Sequence, residues 1–218
     1  NLILSSTVNP SGCNPLSANV VVKLPVLGRI KLIVHSKPGK HTPDVEYTFK
    51  DVGLKQNIPV LGLYPNYNNE VTLIYTDLQG NERARSDLKL QTKTLENRRL
   101  PKDIRVVEVQ YDRMEPGMNL VNSPGQDETD TSIPYMVDAD GEIRWVLDWE
   151  KSDEHRYIGI GCGLIRMQNG HYMTGDGNHH RMVEVDMMGN TIHNWDMLER
   201  GYTVHHAISQ DKQGNILA

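Results

Sequence analysis

The chain has 218 residues, a formal net charge of −5 and a pI near 6.0. A general nucleic-acid surface needs clustered basic residues, and this acidic balance argues against one. No apolar stretch approaches the roughly 20 residues that a membrane-spanning helix needs. We therefore expect neither nucleic acid nor a membrane as a partner. The start of the chain lacks a basic region followed by an apolar core, so we expect any signal peptide to have been removed already.

Cys13 and Cys162 are the two cysteines of the chain. There is no CxxC motif and no Cys-rich zinc pattern, so cysteine chemistry is not indicated. A disulfide between the two would join the two halves of the sequence, but nothing in their spacing supports or excludes it.

The first hundred residues alternate apolar and polar side chains in short β-branched runs, with turn residues about every 8–12 positions. Pro25 and Gly28 predict a turn between the first two runs. This pattern indicates an all-β, immunoglobulin-like sandwich over residues 1–97, without the Cys–Trp–Cys spacing of antibody domains. The predicted strands are Ala18–Leu24, Arg29–Val34, Val45–Phe49, Gln56–Val60, Glu70–Thr76 and Arg83–Lys93.

Residues 95–102 are interpreted as a linker, and residues 103–218 as a second domain. Strands are predicted at Val106–Gln110 and Met118–Val121, followed by a polar, exposed loop over residues 122–131. No long stretch has the 3.6-residue periodicity of a helix, so we expect almost no helix.

The second half of the chain repeats itself. LIRMQNGHYMTG and AISQDKQGNILA share a strand–turn–strand pattern, in which Gly170 and Gly214 are equivalent and 44 residues apart. A second pair of segments matches Asp138, Gly141 and Asp148 to Asp186, Gly189 and Asp196, each 48 residues later. Periods of roughly 40–50 residues built from short strands and glycine turns are typical of β-propeller blades.

One blade can be followed completely, with strands predicted at Leu164–Met167, His171–Thr174, Met182–Asp186 and Thr191–Asp196. In a blade of four antiparallel strands, the second–third loop and the connection to the next blade leave the sheet on one face. Here these are residues 175–180 and 198–204. We expect His205 and His206 to begin the innermost strand of the next blade, at the mouth of the central channel. Asn178, His179 and His180 are placed on the same face.

These histidines can also be explained without a catalytic or binding role. In a strand, only one of two neighbouring imidazoles can face the channel, and both can be ordinary strand residues. His179 and His180 can lie in a simple exposed loop. A metal site built from Asp176, His179, His180, His205 and His206 is conceivable, but no ligand spacing requires it. We expect no metal and no cofactor.

Three segments resemble the bacterial arylsulfate sulfotransferases of the periplasmic type, which do not use a nucleotide sulfate donor. They are VNPSGCNPLSANVVV, GLYPNYNNEVTLIYTD and VHHAISQDKQGNILA, and the resemblance spans essentially the whole chain. It implies a small β-sandwich followed by a six-bladed propeller, assembled as a periplasmic homodimer. Such enzymes transfer a sulfuryl group from a phenolic sulfate to a phenolic acceptor through a sulfated histidine.

The resemblance assigns only part of that site to this sequence. It places the nucleophilic histidine, and the Arg and Asn that help to hold the sulfate, in later blades beyond Ala218. It matches a supporting catalytic histidine of the channel to His205 or His206, with His205 preferred. We therefore expect the chain to be the N-terminal portion of the enzyme, with one complete blade and parts of two others, and to be inactive alone.

A second hypothesis is a non-catalytic module, in which the propeller face binds a glycan or a protein partner. Further His and Arg residues at channel-facing strand starts in the later blades would favour the enzyme. Apolar or aromatic residues at those positions would favour the binding module.

Overall fold

The computed structural model describes residues 2–123, 130–156, 158–159, 163–177, 179–205 and 207–218. The regular elements among these residues are β-strands and two short 3₁₀ turns, at Tyr111–Arg113 and Trp149–Lys151, and no α-helix occurs in this part of the chain. The prediction of an all-β protein is confirmed. None of the helical turns found there has the length and apolar character needed to cross a membrane.

The chain divides into two compact units, which are described separately below. The first comprises Asn1–Pro10, Pro15–Asn119 and Met136–Trp145, and the second comprises Ser11–Asn14, Leu120–Tyr135 and Val146–Ala218. The predicted domains, residues 1–97 and 103–218, are continuous stretches of sequence, whereas each compact unit combines segments from both. The predicted domain boundaries stay a prediction.

The first unit is built on six antiparallel strands. They are β1 (Ile3–Val8), β2 (Ala18–Val34), β3 (Val45–Thr48), β4 (Gly53–Val60), β5 (Asn68–Asp77) and β6 (Glu82–Gln91). β1 was not predicted. The core is lined by fully buried β-branched and leucine side chains, among them Val20, Ile30, Ile58 and Leu73. Such residues fill a pleated, buried surface well.

The predicted turn at Pro25 and Gly28 is wrong, because β2 runs through both positions as one strand of 17 residues. Its first half pairs with β1 and β4, and its second half pairs with β5 and β3. Proline has a backbone angle close to that of an extended chain, and it is tolerated where strand pairing is interrupted. The pairing with β4 is irregular between Lys23 and Gly28, where Pro25 lies.

The predicted strand at Val106–Gln110 is also wrong, because residues 101–110 form no strand. Val107 is 85% exposed, so the apolar alternation that predicted a strand buries nothing there. This segment instead lies over a glycine turn: a Cβ on Gly141 would be 2.9 Å from the Ile104 carbonyl oxygen.

A buried arginine ties residues 136–145 to the rest of the first unit. Arg144 is fully buried, and its Nη1 forms an ion pair with Asp138 Oδ2 at 2.8 Å. Its Nε and Nη2 donate to the Gly62 carbonyl at 3.0 and 2.7 Å, and its guanidinium lies 3.6 Å from the centre of the Tyr64 ring. A buried charge is tolerated only when it is paired and hydrogen-bonded in this way.

A three-stranded sheet follows along the chain, formed by β7 (Asn119–Val121), β8 (Tyr135–Val137) and β9 (Ile143–Val146). β7 confirms the strand predicted at Met118–Val121. Of the predicted loop over residues 122–131, residues 124–129 lie outside the described part of the chain.

The blade predicted in the second unit is present as a four-stranded antiparallel sheet in the order β10–β11–β12–β13. The strands are β10 (Gly163–Arg166), β11 (Tyr172–Asp176), β12 (Arg181–Val185) and β13 (Thr191–Asp196), within two residues of the predicted ones. A two-stranded sheet of β14 (Ser209–Gln210) and β15 (Ile216–Leu217) follows.

The sequence repeats correspond to a repeated turn. At Asp138, Asp186 and Asp211, one carboxylate oxygen accepts from the backbone N–H groups two and four residues later, at 2.8–3.0 Å. The glycine three residues after each aspartate has a positive φ, between 78° and 90°. An aspartate whose carboxylate accepts from the backbone N–H groups of its own turn, followed by a glycine with a left-handed backbone, strongly favours a turn at that position.

The second unit also contains a piece from the start of the chain, Ser11–Asn14. Ser11 Oγ donates to the Met188 carbonyl at 2.7 Å, and Asn14 Nδ2 donates to the Met187 carbonyl at 2.9 Å. Cys13 lies between them as a buried free thiol, and burial raises its pKa. Cys162 lies outside the described residues.

Candidate functional site

The two ends of the sheet β10–β13 differ in their connections. We call the end formed by residues 167–171 and 186–190, with Glu184 and His193 in the adjoining strands, the turn end, because tight glycine turns join the strands there. We call the end formed by residues 177, 179–180, 197–205 and 207–208 the loop end. At the loop end, His180 Nδ1 lies 3.3 Å from the Val204 carbonyl oxygen, and Gly177 lies against the ring of His205. The structure thus brings together the two segments that the sequence placed on one face.

The segment that carries His205 is anchored on both sides of it. Val204 and Ile208 are 3% and 9% exposed and pack in an apolar cluster with Met167, Met173 and Met182. His205 lies between these anchors and is exposed. Because the buried neighbours hold the backbone in place, the exposed imidazole is attached to a well-positioned segment.

His205 does not begin a strand, which corrects the prediction. Strand β14 starts only at Ser209, and the His205 carbonyl accepts a hydrogen bond from the N–H of Ala207 at 2.9 Å. A bond between residues two apart curves the chain locally and prevents the extended conformation that strand pairing needs. His206 and Asn178, the other predicted site residues of this face, lie outside the described residues.

His180 ties the two loops of this end together. Its backbone is left-handed, with φ 51°, and its carbonyl accepts from the Met197 N–H at 2.9 Å. A left-handed conformation is uncommon for a residue with a side chain, and it persists where surrounding contacts hold it. His180 therefore stabilises the contact between the two loops.

Asp176 and His179 form a close pair at the same end. Asp176 is the last residue of β11, and its side chain is 1% exposed, whereas the side chain of His179 is 46% exposed. His179 Nδ1 and Asp176 Oδ2 are 2.7 Å apart. A carboxylate that binds one ring nitrogen orients the imidazole and selects which nitrogen carries the proton.

Arg181 is a residue of this end that the sequence reasoning missed. Its Nε donates to Asn194 Oδ1 at 2.7 Å, and its Nη1 lies 3.4 Å from Asp196 Oδ2. Arg181 and Asp196 are directly opposite in the register of β12 and β13. A basic residue directly before the predicted strand Met182–Asp186 and an acidic residue at the end of the next predicted strand would have suggested this pair.

The metal hypothesis gains no support from this geometry. Of the residues that the structure describes, no three of His, Cys, Asp or Glu are grouped so that they could hold a metal ion. Of the five candidate ligands, Asp176 and His179 bind each other, and His206 is not described.

The turn end carries a different set of histidines. Glu184 Oε1 is 2.6 Å from His171 Nδ1 and accepts from Asn169 Nδ2 at 3.0 Å, while its Oε2 is 2.9 Å from His193 Nδ1. Burial alone would raise the pKa of the Glu184 carboxyl. The hydrogen bonds from His193, His171 and Asn169 outweigh burial and hold the pKa below its ordinary value.

Comparison with known proteins decides the family. Residues 5–93 match the arylsulfotransferase Ig-like domain, and residues 103–218 match the arylsulfotransferase family itself. The chain belongs to the arylsulfotransferase family. The match over residues 5–93 confirms the immunoglobulin-like character of the N-terminal region.

Two curated members of the arylsulfotransferase family are similar to this chain. The arylsulfate sulfotransferase AssT of Lelliottia amnigena is 25% identical over 85% of the chain, and that of Escherichia coli O6:H1 is 24% identical over 96%. The matched regions cover 37% and 41% of those proteins. The chain thus spans about two-fifths of the length of these relatives.

Proposed function

We propose that the protein transfers a sulfuryl group from a phenolic sulfate ester to a phenolic acceptor, without a nucleotide donor, through a sulfohistidine intermediate. Membership in the arylsulfotransferase family is the observation that carries this proposal. The name of the two relatives, arylsulfate sulfotransferase, supports the substrate class.

The residue types at the loop end suit this reaction. A neutral imidazole is a competent nucleophile near pH 7, and a retained covalent intermediate gives ping-pong kinetics. Sulfuryl transfer, like phosphoryl transfer, disperses charge over three oxygens, so the protein acts mostly by positioning and electrostatic stabilisation. Imidazole groups that converge on the sulfate can do this without a metal or a cofactor.

In this proposal, the nucleophilic histidine belongs to a blade beyond Ala218, and His205 or His206 supports it. The supporting imidazole donates to a sulfate oxygen or to the leaving phenolate. The exposure of His205 between two buried anchors favours such a role. Because His205 is not in a strand, strand alternation does not decide between the two residues, and both need testing.

We also propose that the enzyme acts in the periplasm as a homodimer. Both features come from the resemblance of the three sequence segments to the periplasmic arylsulfate sulfotransferases. Size-exclusion chromatography with light scattering on the full-length protein measures the oligomeric state directly.

The test uses the full-length protein with p-nitrophenyl sulfate as donor, and follows nitrophenol release with and without added phenol. Release should depend on phenol, and it should fall by at least about 100-fold in His205→Ala or in His206→Ala. His171→Ala, at the turn end of the same sheet, is the matched control and should keep wild-type transfer. Absence of release with every phenolic acceptor would instead favour the binding module.

A further inference from the structure

The loop end contains a carboxylate–imidazole pair to which neither the family match nor the resemblance assigns a role. Asp176 Oδ2 lies 2.7 Å from His179 Nδ1. The carboxylate is buried, with 1% of its side chain exposed, while 46% of the His179 side chain is exposed. The pair therefore has one member fixed in the protein and one presented at the surface.

This geometry has a chemical consequence for the imidazole. A carboxylate only accepts hydrogen bonds, so Nδ1 must carry the proton that lies between the two groups. In the neutral ring, Nε2 then holds the lone pair and can accept a proton. An imidazole oriented through Nδ1 by a carboxylate is the arrangement that enzymes use for general acid–base catalysis.

The position of the pair connects it to the proposed site. Gly177 follows Asp176 directly, and a Cβ built on it would lie 3.0 Å from Cδ2 of the His205 ring. His180, next to His179, reaches the Val204 carbonyl oxygen. The two residues that flank this short loop thus contact the segment that presents His205, and His179 lies on the same end of the sheet.

Resting on the proposed sulfuryl transfer, we propose that His179, oriented by Asp176, is the group that exchanges a proton with the phenolic oxygen. The supporting imidazole of His205 or His206 then donates to a sulfate oxygen. In the second half-reaction, Nε2 takes the hydroxyl proton of the acceptor while the phenolic oxygen bonds to sulfur. The S–N bond to the sulfated histidine breaks, and its electron pair returns to that ring nitrogen. In the first half-reaction, the nucleophilic histidine nitrogen bonds to the sulfur of the donor, and the S–O bond breaks with its electron pair going to the phenolic oxygen. The imidazolium of His179 gives that oxygen a proton, so the proton taken up in one half-reaction is released in the other.

This role predicts a dependence on acceptor acidity that a purely structural role does not. An acceptor such as phenol has a pKa of about 10, like a tyrosine side chain, and must lose its proton during transfer. Pentafluorophenol is already ionised at neutral pH and needs no base. In ping-pong kinetics, kcat/KM for the acceptor reports only the second half-reaction, so the donor does not obscure the comparison.

The decisive variant is His179→Asn in the full-length protein. The asparagine amide nitrogen falls near the position of Nδ1 and can still donate to Asp176, so the loop contact is kept while Nε2 is lost. With 4-methylumbelliferyl sulfate as donor at neutral pH, kcat/KM for phenol should fall by about 10²–10³-fold. The value for pentafluorophenol should stay within a few-fold of wild type.

Two further variants complete the experiment. Asp176→Asn should give a smaller loss, about tenfold, that is again confined to phenol. His171→Asn removes an imidazole paired through Nδ1 to a carboxylate at the turn end, and should change neither value. Thermal unfolding of each variant verifies that it is folded.

An equal loss with both acceptors, or no loss with either, in folded His179→Asn would overturn the role of His179 and leave sulfuryl transfer standing. Failure of the wild-type protein to transfer to either acceptor would overturn the proposed function, and this inference with it.

Discussion

The turn end and the loop end of the blade sheet use the same residue types in opposite ways. At the turn end, Glu184 binds two imidazoles and an amide, and the chain reverses through turns closed by their own backbone. At the loop end, the carboxylate of Asp176 binds His179, and the loops are held by contacts between segments distant in sequence. The turn end is a closed network that supports the fold, whereas the loop end presents imidazoles.

A histidine beside a carboxylate is therefore not by itself evidence of chemistry. His171 and His179 make nearly identical contacts, at 2.6 and 2.7 Å. His179, however, lies between Gly177 and His180 in the chain, and these two residues contact the segment that carries His205. If this contrast is correct, substitutions at the turn end should change stability, and substitutions at the loop end should change transfer.

The largest expected effect on stability is at the turn end. Gly189 has φ 87°, and a Cβ there would lie 2.9 Å from Ser11 Oγ and 3.4 Å from Leu147 Cδ2. Gly189→Ala should therefore lower the free energy of unfolding by about 2–3 kcal/mol, while transfer per folded molecule is unchanged. Urea denaturation and assays below the transition measure both.

Gly170→Ala is the matched control for that variant. Its φ is the same, 87°, but a Cβ there would meet no heavy atom within 4 Å. Only the backbone strain remains, so we expect a loss of about 1 kcal/mol. Equal losses in the two variants would contradict the packing of Ser11 and Leu147 against this turn.

A smaller effect, on transfer rather than stability, is expected at the loop end. The φ of Gly177 is not left-handed, so alanine is allowed by the backbone, but its Cβ would lie 3.0 Å from His205 Cδ2. Because His205 is exposed, the ring can shift at little cost in stability. Since misplaced groups catalyse poorly, transfer should fall about tenfold.

The control for Gly177→Ala is Gly175→Ala, two residues earlier in the chain and within β11. There a Cβ would meet only Ile208 Cγ2, at an ordinary distance of 3.5 Å. Its transfer rate should stay within about twofold of wild type. A loss of stability without a loss of transfer in Gly177→Ala would mean that this end supports the fold instead.

The smallest effect is a pH dependence at the turn end. The pKa of Glu184 is lower in the folded chain than its ordinary value of 4.5, so its ionised form stabilises the fold above that pH. This contribution is lost as the pH falls through the lowered folded-state pKa. Glu184→Gln should therefore be less stable than wild type at neutral pH, and the two should converge below about pH 4.5.

Urea unfolding midpoints between pH 3 and pH 7 measure that convergence. The corresponding control is Glu199→Gln, an exposed carboxylate in the segment after β13. Its unfolding curve should run parallel to that of wild type at every pH. Parallel curves for Glu184→Gln as well would mean that the imidazole network adds no pH-dependent stability.

Much of the blade could be predicted from sequence because its turns are local. Each aspartate turn is closed within five residues, by one carboxylate and one left-handed glycine. Gly189 and Gly214 therefore mark strand ends. Gly170 does so in a turn where Asn169 Oδ1, instead of an aspartate, accepts from the His171 N–H. The four strands of the complete blade were predicted within two residues. Strands β3 to β6 of the first unit were predicted from a different signal, the alternation of apolar and polar residues.

The errors arose where local pattern and tertiary packing disagree. Pro25 and Gly28 have the composition of a turn, but β2 pairs with β4 up to Lys23 and with β5 from Gly28 onward. This pairing on both sides of Pro25 keeps the chain extended. Val106–Gln110 has the alternation of a strand, but no strand among the described residues pairs with it. The strand propensity of a residue depends on how well its side chain packs against a neighbouring strand. The sequence of the segment alone does not show whether such a strand is present.

The all-β architecture, the repeated turns, the family resemblance and the identity of the histidines at the loop end follow from local patterns in the sequence. The burial of Asp176 against His179, the exposure of His205 between two apolar anchors, and the contacts of Glu184 with two histidines at the opposite end depend on tertiary packing. The two kinds of feature differ in how far apart along the chain the residues lie that fix them. A turn is fixed by neighbours within a few residues, whereas the direction and burial of a side chain depend on strands that arrive from elsewhere.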